Sequence, residues 1–203
     1  ELRPILLLQG FFSPEELEPI AAHDLAVVVH DTEQVAILEK ARLRKKPDVY
    51  LKLNTGMNRL GLTERDFSGA LERLRLCAGG ISLMTHFADA DGKGGIQWQL
   101  KRFDAMTAGL KFPRSLANSA AILRFPETHA DWVRPGIMLY GCSPFPDESA
   151  EKLGLKPAMT LSSELIAVRE LRPGDSVGYG CTFTADGPMR VGIVACGYAD
   201  GYP

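Results

Sequence analysis

Cysteine is scarce in this chain, and none of the four present (Cys77, Cys142, Cys181, Cys196) stands in a Cys-x-x-Cys spacing. That spacing carries zinc ribbons and dithiol redox motifs, so neither is expected, and no metal site is read. A disulfide-stapled secreted module is not expected either. Long apolar runs are missing: nothing approaches the roughly 20 residues of a membrane helix. Neither sign of charge predominates, with 23 Lys+Arg against 25 Asp+Glu and a formal net charge of -2. No broad attraction to nucleic acid or to an anionic membrane follows. The opening residues, Glu1-Leu2-Arg3-Pro4, lack a signal-peptide shape, and a reducing cytoplasm is the expected compartment. What is present is an ordinary globular balance, 45% hydrophobic and 24% charged over 203 residues. That suffices to bury a core in one large domain, or in one domain plus part of a second.

The first two thirds alternate strand and helix signals. Ile5 to Gly10, Leu25 to His30, Val49 to Asn54 and Ile81 to His86 are short apolar runs of the buried-strand type. Ser115 to Asn118 and Ile137 to Tyr140 are two shorter strand candidates. Between them lie helix signals. Ser13-Pro14-Glu15-Glu16 reads as a capping box with proline at the first helical position. Asp31 or Thr32, followed by Gln34, opens a second helix. Thr63 caps a third, whose Phe67, Leu71 and Leu74 form an apolar stripe. Ile96, Leu100, Phe103, Met106 and Leu110 mark a fourth. Strand starts recur about 20 to 35 residues apart, the length of one strand–helix unit in parallel α/β folds.

The pattern changes near Leu155. Met159 to Leu171 has no helical stripe, and Pro173-Gly174-Asp175 is a turn. Asp186-Gly187 signals a hairpin between Cys181–Ala185 and Arg190–Ala195. The reading is an α/β chain: a partial (β/α)8 TIM-like barrel over residues 1–150, then the start of a mostly antiparallel β domain over 151–203. The linker is the Pro- and Gly-containing stretch from Ser143 to Lys156. Six strand–helix units are two short of a closed barrel, and a small open sheet would show the same pattern.

Ligands of parallel α/β folds bind at the C-terminal ends of strands. Past those ends lie Thr55-Gly56-Met57-Asn58-Arg59, then His86-Phe87, Asn118-Ser119, Arg134-Pro135-Gly136-Ile137 and Tyr140-Gly141. One at a time these are ordinary: a loop arginine is a solvated charge, a strand-end histidine a structural hydrogen-bonding group, a glycine a turn former. Together, on one rim, they suit a small anionic ligand with a planar ring. Glycine N–H groups and a serine hydroxyl can cradle phosphate, and an arginine fork can hold a carboxylate or ring substituent.

Several of these segments resemble the signatures of bacterial alanine racemases. They are Val49-Tyr50-Leu51-Lys52-Leu53-Asn54-Thr55-Gly56-Met57-Asn58-Arg59-Leu60-Gly61, Met84 to Asp91, Ala117-Asn118-Ser119-Ala120, Val133 to Gly141, Val177-Gly178-Tyr179-Gly180 and Gly197-Tyr198-Ala199-Asp200-Gly201. The matches run in family order along nearly the whole chain. The resemblance implies a barrel with pyridoxal 5'-phosphate at its mouth, a β-rich second domain, and a homodimer with shared active sites. The activity it implies is interconversion of L- and D-alanine by two bases, supplying D-alanine for peptidoglycan or L-alanine from catabolism.

Residue by residue, Arg134 resembles the arginine facing the pyridine nitrogen, which keeps that nitrogen unprotonated because a guanidinium does not release its proton near neutral pH. Arg59 resembles the arginine near the cofactor's phenolic oxygen and the substrate carboxylate. Lys52 resembles a lysine that is often carbamylated, whose anion would orient Arg59; it also reads as an ordinary strand lysine. Ser119, Gly136 and Ile137 resemble the phosphate cup, with Asn118 beside it. His86 resembles the histidine near the ring, linking Arg134 to Tyr179. Tyr179 resembles the catalytic tyrosine, supplied across the dimer interface; neighbouring positive charge is what would lower a phenol of reference pKa about 10. Tyr198 and Asp91 resemble residues lining substrate entry.

The family's cofactor lysine lies in a run of the type Lys-Ala-x-Ala-Tyr-Gly-His-Gly, and no such run occurs here. Asn54 stands where aspartate is commoner. With one of the two bases, the 203-residue chain is expected to be inactive by itself and poorly folded, as a fragment of an active parent. Other readings are a serine, lysine or broad-specificity racemase of the same fold and, from another class, a non-catalytic pyridoxal-phosphate-binding protein. A decarboxylase of this fold is disfavoured by Arg134, where such enzymes resemble each other in placing a carboxylate.

Overall fold

The computed structural model of the chain describes residues 3–201. It divides into two compact units, Glu1–Ala158 and Met159–Pro203.

The first unit is built on a five-stranded sheet in sequential order. Its strands are β1 (Leu6–Leu7), β2 (Ala26–Val29), β3 (Val49–Lys52), β4 (Ile81–Met84) and β5 (Arg114–Ser115), every neighbouring pair parallel. Parallel neighbours need crossovers, and four of the five helices supply them: α1 (Leu17–Ala22), α2 (Thr32–Lys40), α3 (Glu64–Cys77) and α4 (Gln97–Met106). The fifth, α5 (Ser119–Arg124), follows β5. This is a partial (β/α)8 barrel wall.

Alternation along the strands separates two faces. Val27, Val29, Val49, Leu51, Leu53 and Leu83 are buried against Val35, Leu38, Phe67, Leu71, Leu74, Ile96 and Phe103 of the helices in one apolar cluster. The intervening Ala26, Tyr50 and Ser82 line a cavity of about 580 Å³ on the inner face, with Leu6, Leu8, Trp132 and Val133. The β3–β4–β5 register aligns Lys52, Met84 and Ser115 at the strand ends on that same inner side.

Local expectations met mixed outcomes. Asp31 caps α2, accepting from the Glu33 N–H at 2.8 Å. Thr63 precedes α3 in extended conformation, but its hydroxyl donates to Asp66 at 2.6 Å instead of capping a backbone N–H. The box expected at Ser13 does not form. Residues Pro14–Glu16 make a 3-10 turn, and the Glu16 carboxylate reaches the Phe12 N–H instead. The fourth apolar stripe overruns its helix. Thr107 terminates α4, and Gly109 adopts φ 76° before Leu110.

The expected strand at Ile137–Tyr140 is a 3-10 turn with Ile137, Leu139 and Tyr140 exposed. The sixth position of the sheet is instead taken by Trp132 to Arg134: Ser115 bridges Trp132 in parallel, and the Arg134 N–H bonds the Ala117 carbonyl at 3.0 Å. A four-residue apolar run does not separate strand from helical turn, which is why the two were exchanged.

The second unit is antiparallel. β6 (Leu165–Leu171) pairs with β9 (Met189–Val194), and between them β7 (Ser176–Val177) pairs with β8 (Phe183–Thr184). The Asp186-Gly187 turn therefore joins β8 to β9, two strands that do not pair with each other, and the hairpin expected there is corrected to a nested pair of ladders. The inner one closes through residues 178–182, and the Pro173–Asp175 turn that leads into it extends the ladder, the Gly174 N–H meeting the Ala185 carbonyl at 2.8 Å. A turn dipeptide marks a reversal of the chain; it does not choose the partner strand.

Candidate active site

The ends of β3, β4 and β5 and the segment after Trp132 converge on the inner rim. Arg134 is held there by its fork. One amino group donates to Ser115 Oγ at 2.7 Å, and the other to the Thr85 carbonyl at 2.6 Å and the Leu116 carbonyl at 3.3 Å. The latter group also stands 3.4 Å from His86 Nδ1. A guanidinium only donates. Opposite a donor, Nδ1 is suited to accept, the tautomer that carries the His86 proton on Nε2. Burial first, then the charges of Arg134, Lys52 and Arg59, push the His86 pKa down to about 4. The imidazole is neutral at pH 7. Burial brings Arg134 down to about 10, still fully charged there.

Lys52 ends β3 and is buried. Burial lowers its pKa, with Arg134 and Arg59 contributing. Its amine makes no hydrogen bond or ion pair among the described residues. Arg59 is exposed on the loop beyond. That loop is organised by Asn54, whose amide oxygen accepts the N–H groups of Gly56 and Asn58 at 3.0 and 3.1 Å, and whose amide nitrogen donates to Asn58 Oδ1 at 3.0 Å. Three cations thus share the rim, and none of them is ion-paired to a carboxylate among the described residues. Such a site attracts anions.

Asn118 caps α5 by accepting the Ala121 N–H at 3.1 Å and donates to the Phe87 carbonyl at 3.2 Å. Ser119 is buried; its Oγ accepts the N–H groups of Gly136 at 2.8 Å and Met138 at 3.5 Å. With the oxygen's lone pairs engaged, its hydroxyl proton is free to donate to a further oxygen. His86, Asp91, Asn118, Ser119, Arg134, Gly136 and Ile137 line one cavity of about 380 Å³, with Ala120, Ser143 and Pro144. That volume is in the range of small-ligand sites, about 300–1,000 Å³. A Cβ at Gly136 would stand 3.7 Å from Ser119 Oγ, so glycine keeps this corner open.

The residues singled out from the sequence in the first unit therefore come together, Lys52 and Arg59 through their electrostatic reach to His86 and the others along the cavity wall. Tyr179 and Tyr198 belong to the second unit, on 3-10 turns at 95% and 86% exposure. Within that unit they are free to meet another surface. Sequence reasoning missed Thr55, Thr85 and Gln99, all buried and hydrogen-bonded behind the rim. Gln99 lay in phase with the apolar stripe of α4, three residues after Ile96 and four before Phe103, and a polar residue on a buried stripe is the available signal.

The family model of the alanine racemase N-terminal domain matches residues 2–144, and that of the alanine racemase C-terminal domain matches 158–203. An alanine racemase of Nitrosospira multiformis is 59% identical over 98% of this chain, and one of Paraburkholderia phytofirmans 55% identical over 98%. The chain spans 57% of the length of each. The crystal structure of a biosynthetic alanine racemase from Pseudomonas aeruginosa superimposes on 100% of the chain and 57% of its own, with a TM-score of 0.92 and 45% identity. That of Acinetobacter baumannii alanine racemase covers 99% and 58%, with a TM-score of 0.88 and 38% identity. On two matched domains, high identity and a common fold, this chain belongs to the alanine racemase family.

Proposed function

We propose that the full-length protein carrying this chain interconverts L- and D-alanine with pyridoxal 5'-phosphate, and that this chain supplies the cofactor cradle and one of the two proton-transferring groups. The observation that carries the reading is the Arg134–His86 pair at 3.4 Å on the wall of a cationic cavity. The residues present fit the cofactor. Ser119 has a hydroxyl proton to donate, Gly136 leaves room beside it, and the rim is positively charged.

When bound, the cofactor supplies the electron sink that makes a Cα–H acidic. Arg134, charged and fixed by three protein oxygens, is the residue that would hold the ring nitrogen and keep it unprotonated. His86, neutral and with its proton on Nε2, has a donor to spare, the group that would link Arg134 to Tyr179. Tyr179 holds and moves the α-proton on one face of the substrate, and the fully exposed phenol reaches that place across a homodimer interface. Ser119, Gly136, Ile137 and Asn118 are the residues that would hold the phosphate. Arg59 binds the substrate carboxylate. Lys52, a buried amine of lowered pKa among cations, is the chemical type that adds carbon dioxide to become a carbamate, an anion suited to orient Arg59. Asp91 and Tyr198 line substrate entry. The protein acts in the cytoplasm.

Chiral chromatography of full-length protein incubated with L-alanine, L-serine and L-lysine tests the reading. Racemisation of alanine above the other two is expected. Arg134→Glu is expected to lower kcat by at least about 10²-fold, or about 2.7 kcal/mol. Absence of D-alanine from the full-length protein, or a full rate from the 203-residue chain alone, would sink the proposal.

A further inference from the structure

Gln99 is a polar side chain at 0% exposure on the core face of α4, a position where burial is costly unless every polar atom is satisfied. All its donors and its acceptor are used. The amide nitrogen donates to Thr55 Oγ1 and to the His86 carbonyl, both at 3.1 Å, and the amide oxygen accepts the Ala88 N–H at 2.7 Å. Gln99 therefore grips the chain on both sides of Phe87.

The bond to Thr55 begins a relay with a defined direction. Thr85 donates its hydroxyl proton to the Leu53 carbonyl at 3.0 Å, so its oxygen accepts from Thr55 at 2.7 Å. Thr55 in turn accepts from Gln99. The order is Gln99, Thr55, Thr85, Leu53, with Thr55 at 1% and Thr85 at 0% exposure. The carbonyl of the same Thr85 takes the shortest bond of Arg134, at 2.6 Å. One amide on a helix behind the sheet thus ties down the turn carrying His86, the start of the loop carrying Arg59, and the residue that anchors Arg134.

We propose that Gln99 is a positioning residue: acting through His86–Ala88 and the Thr55–Thr85 relay, it sets where His86 and Arg134 stand on the cavity wall. What those two residues face rests on the function proposed above; the clamp itself does not.

The test uses full-length protein as wild type, Gln99→Leu, Thr55→Val and Thr55→Ser. Hydrogen exchange is followed by mass spectrometry, and pyridoxal phosphate affinity by absorbance titration. In Gln99→Leu, exchange in residues 85–92 and 53–61 should rise about tenfold while 67–77 stays unchanged, and cofactor affinity and kcat should each fall about tenfold with KM within about twofold. Thr55→Val should shift the same quantities in the same direction, and Thr55→Ser, which keeps the hydroxyl, should restore them. Should Gln99→Leu fail to fold, the Thr55 pair decides alone. Unchanged exchange in both segments, or a rise spread evenly over the protein, would overturn the proposal. A wild-type protein that neither binds pyridoxal phosphate nor racemises alanine would refute the function, leaving the exchange pattern to decide on the clamp.

Discussion

Arg134 and His86 constrain each other's protonation, and the sign of the consequence can be worked out. The ordinary histidine pKa near 6.5 applies in the unfolded chain, whereas the folded value is about 4. Between those values the unfolded state binds a proton that the folded state refuses, so acidification favours unfolding. The contribution is complete above about pH 6.5 and is lost as pH falls toward 4. The unfolding free energy of full-length protein, from urea titrations between pH 7 and 4, should therefore fall more steeply in wild type than in His86→Gln, by up to one proton's worth, about 1.4 kcal/mol per pH unit. Equal pH dependence would mean His86 is not held neutral. Asn54 offers a second prediction. Its amide donates to Asn58 and accepts from two N–H groups. Asn54→Ala removes the acceptor of both N–H groups and should cost about 0.5–1.5 kcal/mol by denaturant unfolding. The amino-acid sequence named His86 and Arg134 through their places beside strands, but not as partners, since 48 positions separate them.

Elements show where stability concentrates. α3 was legible because Phe67, Leu71 and Leu74 repeat with helical spacing, and all three are buried. Leu74, at 0% exposure within the shared core, should lose about 2–5 kcal/mol on Leu74→Ala, read as a lower urea midpoint with unchanged slope. The loop between β3 and α3 is tighter than its sequence suggests. Gly56 has φ 134°, and a Cβ there would overlap the Trp98 ring. Gly56→Ala should displace Trp98 and cost about 1–3 kcal/mol; a tryptophan emission spectrum identical to wild type would contradict that packing. The exchanged strand at Ile137–Tyr140 failed for the opposite reason: a short apolar run carries no period, and only pairing with β5 selected Trp132 to Arg134.

Across the whole molecule the two units differ in what they bury. The first holds a continuous apolar core, whereas in the second Ala185 is the one buried side chain among the described residues. Leu165, Ile166, Val168, Phe183 and Val194 are each about half exposed or more. Two-stranded ladders without a covered face are marginal in water. A peptide spanning 159–203 should accordingly show no cooperative thermal transition by circular dichroism; a sharp, reversible transition would show that the unit folds unaided. Among the described residues no helix is long and apolar enough to cross a membrane.

The sequence by itself determined the alternation of strand and helix, the apolar stripes that bury α3 and α4, the change to β structure near Leu155, and the residue types set at the strand ends. These are local matters of period, capping and turn chemistry, and they act over a few neighbouring residues. Tertiary structure alone decided the strand partners, the sixth position of the sheet, the neutral state of His86, and the burial of Gln99 behind the rim. Each depends on atoms far apart in the chain becoming neighbours, where loss of water and close charge reset what a side chain can hold.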